Sequence, residues 1–149
     1  MRVEVDQSGK IEQTSHDTVV AFSDDEEFAV LIPAKVKREL IAALRARRRL
    51  RRPYPFIFAA AVYELVKDHL DRLEQIVIDI EYQDRESAIK GKLLALIRRR
   101  NPGYPKDRIS FARIGKKSAA HEKALATYRG ETAPGRVLTT DALMQLLAE

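Results

Sequence analysis

Residues 2–6, Arg-Val-Glu-Val-Asp, alternate polar and apolar with period two, and Gln7-Ser8-Gly9 has the composition of a turn. The spacing predicts a strand ending near Asp6, followed by a reversal. A second strand is expected over 18–22 and a third over 28–32, joined by the acidic tip Asp24-Asp25-Glu26-Glu27 and closed by Pro33. From Ala34 the period lengthens. Val36, Leu40 and Leu44 fall four apart with Ile41 beside them, which predicts a helix over 34–50 that Pro53 and Pro55 stop. A second helix is expected over 56–69, with Phe58, Val62, Leu65 and Val66 on one side. It leads into Gln75-Ile76-Val77-Ile78-Asp79-Ile80-Glu81-Tyr82, the clearest strand in the chain. There Ile76, Ile78 and Ile80 share one face and Val77, Asp79 and Glu81 the other. A helix over 86–100 carries Ile89, Leu93, Leu96 and Ile97 on one face and closes with arginines at the negative end of its dipole. Asn101-Pro102-Gly103 ends it. A fifth strand over 108–114 passes through Gly115-Lys116-Lys117 into a helix over 118–128. A connector over 130–135 then precedes a last short helix capped by Thr140 or Asp141.

Composition narrows the chemistry. The 149 residues suit one domain, and the absence of cysteine excludes disulfides, thiolate zinc sites and a cysteine nucleophile. No apolar stretch approaches the ~20 residues of a membrane span, the densest being residues 56–62. The first residues lack the apolar core of a signal peptide, so a cytoplasmic protein with no membrane partner is expected. Net charge is only +5, but six arginines, Arg45, Arg47, Arg48, Arg49, Arg51 and Arg52, fall within eight positions, and Arg98-Arg99-Arg100 form a second group. With Tyr54 and Phe56 close by, the first run combines charge with stacking faces, which suits a nucleic acid; the alternative is a surface of solvated or ion-paired arginines. Lys116 and Lys117 stand just before a helix, where a phosphate would also be favoured. No Gly-rich phosphate loop, Ser/His/Asp ordering or zinc-type His cluster is present, so nucleotide hydrolysis, acyl transfer and zinc chemistry have no support.

Three short motifs and the order of elements, β-β-β-α-α-β-α-β-α, carry a family resemblance. They are Val5-Asp6-Gln7-Ser8-Gly9 in the first strand, Ile80-Glu81 followed by Ser87-Ala88-Ile89-Lys90, and Ala120-His121-Glu122-Lys123-Ala124 in the last long helix. Over residues 3–128 the chain resembles ribonuclease H-like domains, nearest to RuvC-type Holliday-junction resolvases. Glu39-Leu40-Ile41-Ala42-Ala43-Leu44 is a weaker echo, similar to the helix that carries a metal-binding glutamate in ribonuclease H proper. Two departures stand out: His121 replaces an aspartate, and a basic stretch over 45–63 separates Glu39 from the fourth strand.

The resemblance implies an α/β fold with a ribonuclease H-like mixed five-stranded sheet flanked by helices. Residues 1–129 would form the domain, with the connector and C-terminal helix of 130–149 packing on it. It also implies a divalent-metal-dependent nuclease or resolvase-like protein acting on structured nucleic acid, as a homodimer. Hydrolysis of a phosphodiester needs a charge clamp, which two divalent ions ~4 Å apart supply where carboxylates from separate elements converge. Asp6, Asp79 and Glu81 would hold Mg²⁺ or Mn²⁺, and His121 would bind a softer ion or carry a proton. Asp6, Glu81 and His121 are thus the expected catalytic set. Against this stand a non-catalytic module that binds nucleic acid or protein through its arginines, and an assembly protein whose Ala59-Ala60-Ala61 makes a helix contact in a homodimer. In the plainest alternative Asp6 and Glu81 are solvated strand-end residues, and Glu39 is an ordinary exposed helix residue.

Overall fold

Period-two alternation in the first thirty residues builds the middle of a sheet. In the computed structural model, which describes residues 1–47 and 52–147, β1 (Arg2–Ser8), β2 (Thr18–Ser23) and β3 (Glu27–Ile32) form an antiparallel meander. β4 (Gln75–Asp79) lies parallel to β1 on its free side, and β5 (Ile109–Ala112) lies parallel to β4. A two-residue strand, β6 (Arg136–Val137), adds parallel to β3, so the order is β5-β4-β1-β2-β3-β6. The sheet is therefore six-stranded rather than five-stranded. β6 falls in a segment too short and too polar to show any periodicity.

Helices cover both faces unequally. α1 (Ala34–Ala46), α2 (Tyr54–Val66), α3 (Glu86–Arg98) and α5 (Thr140–Leu147) lie on the face carrying Val3, Val5, Val20, Phe22, Ile76 and Ile78, and together they enclose the main core. Among the described residues the other face holds only α4 (Ala119–Tyr128), seated over Val19, Ala21 and Ala29 through Ala124. Large branched side chains thus fill one layer, and alanines floor the other.

Several boundaries differ from the periodicity, each for a physical reason. Pro53 and Pro55 begin α2 rather than stop α1, as cap residue and in the first turn, where a missing N–H is harmless. α1 is observed to Ala46, and the expected continuation to residue 50 lies outside the described residues. α2 is not one-sided. It is enclosed by β2, β3, α3 and α5, and Ile57 to Val66 are all buried. Ala59, Ala60 and Ala61 are each 0% exposed within the single chain, so they offer no contact to a second copy. β4 ends at Asp79, three residues short of the expected strand, and β5 is preceded by a 3₁₀ turn at Lys106–Arg108. The cap of α5 is Thr139, whose Oγ1 accepts from Ala142 N at 3.2 Å, instead of Thr140 or Asp141.

The long β1–β2 connection is pinned to α1. Gly9 leaves β1 with φ +79°, where a Cβ would meet Asp17 O at 2.2 Å, so glycine is required. Asp17 Oδ1 accepts from Ala34 N at 2.9 Å, satisfying a free donor of the first turn of α1. The fully buried Lys37 donates to Lys10 O (3.1 Å), Gln13 O (2.7 Å) and Thr18 Oγ1 (3.0 Å), and burial pulls its ammonium below the usual lysine range.

Candidate functional site

Parallel pairing of β1 and β4 sets Val5 opposite Ile78, so the next residues, Asp6 and Asp79, come together on the α4 face. Glu81 follows two residues later, just past the strand. Each of the three offers a carboxylate oxygen within 4.8 Å of the others. Asp6 is buried at 3% exposure; its Oδ1 accepts from Gln7 N at 2.8 Å and its Oδ2 pairs with His121 Nδ1 at 2.9 Å. Asp79 Oδ1 accepts from Ile114 N at 2.7 Å, which ties the loop after β5 to the group.

α4 brings His121 to this place. Ser118 caps the helix by accepting from Ala120 N (3.1 Å) and His121 N (3.3 Å), and the alanine floor beneath lets the helix backbone approach β1 and β2 closely. The structure thus brings together Asp6, Asp79, Glu81 and His121, the four residues expected from the sequence to hold metal. Two further groups shape the site: the Ile114 amide, which no side-chain pattern could reveal, and the Ser118 cap, which a serine immediately before a helical run does signal.

Three adjacent carboxylates cannot all ionise without compensation. Glu81 is pushed up to about 8, first by burial and then by Asp79 and Asp6 beside it. Asp6 is also raised, burial outweighing the hydrogen bonds from Gln7 and His121. A group so constituted can hold a proton near neutrality or take a cation in its place. Hard oxygen donors of this kind suit Mg²⁺ or Mn²⁺.

Other expected residues lie elsewhere. Glu39 is exposed on α1, across the sheet from the carboxylates, and accepts from Thr140 Oγ1 of α5 at 3.3 Å; it joins two helices and has no part in the acidic group. Arg45 Nη2 donates to Tyr54 Oη at 3.1 Å, and Arg47 and Arg52 are exposed. Arg48, Arg49 and Arg51 lie outside the described residues. Lys116 and Lys117 are exposed on the loop that Asp79 holds. Among the described residues no helix is long and apolar enough to cross a membrane. Comparison with known proteins finds no matching family model and no similar curated protein or solved structure.

Proposed function

We propose that the chain is a ribonuclease H-like protein that cleaves structured nucleic acid with divalent metal, in the manner of a nuclease or resolvase. The observation carrying this reading is the convergence of Asp6 and Asp79 from paired parallel strands with Glu81 just past β4, and His121 hydrogen-bonded to Asp6. The antiparallel β1-β2-β3 meander with β4 and β5 added parallel beside β1 supports the family resemblance as well. Asp6, Asp79 and Glu81 would hold Mg²⁺ or Mn²⁺. When bound, the metal would supply charge stabilisation at the attacking and leaving oxygens of a phosphodiester. Asp6 fixes the His121 ring through Nδ1 and leaves Nε2 for ligation or proton transfer. Burial keeps the carboxylate group sensitive to charge, so neutralising one member weakens its hold on a cation.

One observation favours a second reading, a non-catalytic module that binds nucleic acid or protein. Both oxygens of Asp6 and one of Asp79 already have partners within the chain, so protons and hydrogen bonds alone can satisfy the group. Incubating the protein with duplex, hybrid, single-stranded and four-way-junction substrates in Mg²⁺ or Mn²⁺ decides between them. Cleavage that Asp6→Asn or Glu81→Gln abolishes is the expected result. No product on any substrate overturns the enzyme reading and leaves the binding module.

A further inference from the structure

Charge is distributed unevenly along the chain. Residues 85–117 contain eleven Lys and Arg against two acids, Glu86 and Asp107, a net +9 in a protein whose total is +5. All the rest of the chain therefore sums to −4 despite the six arginines of residues 45–52. This stretch is α3, the edge strand β5 and the loop into α4, contiguous along one side of the sheet. Elsewhere some cations are neutralised in pairs, Arg72 with Glu26, Lys123 with Glu27, Arg136 with Glu64 and Asp68, while others such as Arg2, Lys35, Arg38 and Arg129 are exposed without an acidic partner among the described residues but stand in a remainder of the chain that is net acidic. Along the β5 side Arg85, Arg100, Lys106, Arg113, Lys116 and Lys117 are exposed and make no ion pair among the described residues.

The frame beneath these cations is held firmly. Lys90 Nζ donates to Ile109 O at 2.8 Å, Arg98 donates twice to Tyr104 O, and the Arg108 guanidinium lies 5.7 Å from the buried Tyr104 ring. From Lys106 the strip runs along β5 at ~3.3 Å per residue and ends on the loop held by Asp79. Exposed cations that neutralise no acid of their own chain raise a positive potential and attract a polyanion.

We infer that the α3–β5 edge is the surface on which a nucleic-acid backbone lies, leading it to the carboxylate group; the choice of nucleic acid rests on the proposed function. An acidic protein or a membrane fits less well. Protein interfaces need an apolar centre, and among the described residues the one exposed large apolar side chain is Val137, on β6 at the far edge of the sheet. Phosphates need only charge, and each contact releases counterions.

The test is fluorescence anisotropy with a labelled 20-base-pair duplex in EDTA, so that binding is read without cleavage, across a range of salt. Replacing Arg100, Lys106 and Arg113 together with Gln is expected to flatten the plot of log affinity against log salt by about 2–3 and to weaken binding at least about tenfold near 0.1 M salt. Circular dichroism melts matched to wild type show that these exposed substitutions leave the fold intact. An unchanged slope in this variant, with flattening in an Arg45→Gln, Arg47→Gln, Arg52→Gln variant, overturns the inference. So does tighter binding of polyglutamate or of phosphatidylserine vesicles than of duplex. Strip-dependent binding without cleavage of any substrate sinks the nuclease reading alone, whereas cleavage with binding untouched by the triple variant sinks the strip alone.

Discussion

Glu81 concentrates the electrostatics of the site in one side chain. Its carboxyl is raised from the ordinary glutamate value to about 8 in the folded protein, so the native state binds that proton more tightly than the unfolded chain does. The stability this contributes is fully present below pH ~4.5 and is lost as pH rises through about 8. Asp6, also raised, acts in the same direction. The metal-free protein is therefore expected to melt at lower temperature as pH rises from 5 to 8. Glu81→Gln should remove most of that slope and stabilise the protein at pH 8 by on the order of 1 kcal/mol, allowing for solvent screening of a half-buried group. Thermal melts at several pH values in EDTA check this, and parallel slopes for the two proteins would show that Glu81 ionises freely. If the group takes Mg²⁺, adding it at pH 8 should raise the midpoint of wild type and not that of an Asp6→Asn, Glu81→Gln variant.

At the level of elements, period-two alternation was readable wherever one face of a strand met the main core. That is why Asp79 and Glu81 fall on one face of their strand in the alternation alone, whereas the pairing of β1 with β4 that sets Asp6 beside Asp79 is not legible in it. The spacing could not tell that β4 stops at Asp79 and that Glu81 stands on irregular backbone, because Ile80 and Tyr82 continue the same alternation. Nor did it separate α2, apolar on every side, from a one-sided helix. Lys37 shows a subtler failure. It lies four residues before Ile41 and seven before Leu44, on the buried stripe of α1, yet its charge argues for exposure, and only the loop carbonyls it binds explain its burial. The seat of α4 depends on residue size. Ala124, fully buried against Val19, Ala21 and Ala29, sets how near His121 comes to Asp6. Ala124→Leu should destabilise by about 1–3 kcal/mol through overpacking and draw His121 away from Asp6. Urea unfolding measures the first effect, and the ¹⁵N shifts of the His121 ring measure the second. Unchanged ring shifts would mean that something other than the alanine floor governs the approach.

Over the whole molecule, the residues beyond α4 close the structure. Gly135 passes against Phe28, where a Cβ would sit 2.1 Å from the ring, and its N donates to Ala29 O at 2.8 Å as β6 joins β3. Arg136 then donates to Glu64 O at 2.9 Å and to Asp68 Oδ2 at 2.6 Å, tying the new strand to α2 and the segment after it. α5 follows over α1 and α2, with Leu143 fully buried and Leu147 nearly so in the main core. If this closure is part of the cooperative fold, Leu143→Ala should lower the stability of the entire chain by about 2–5 kcal/mol, the usual range for a buried leucine. Val137→Ala, on the same segment but 53% exposed, should change it by less than about 0.5 kcal/mol. Urea unfolding followed by both circular dichroism and tyrosine fluorescence separates the possibilities, because an integral segment moves one shared transition. A separate early transition in Leu143→Ala, with the main one unmoved, would mean that α5 docks on an independently stable sheet, since only an element outside the cooperative core can lose its contacts without lowering the midpoint of the rest.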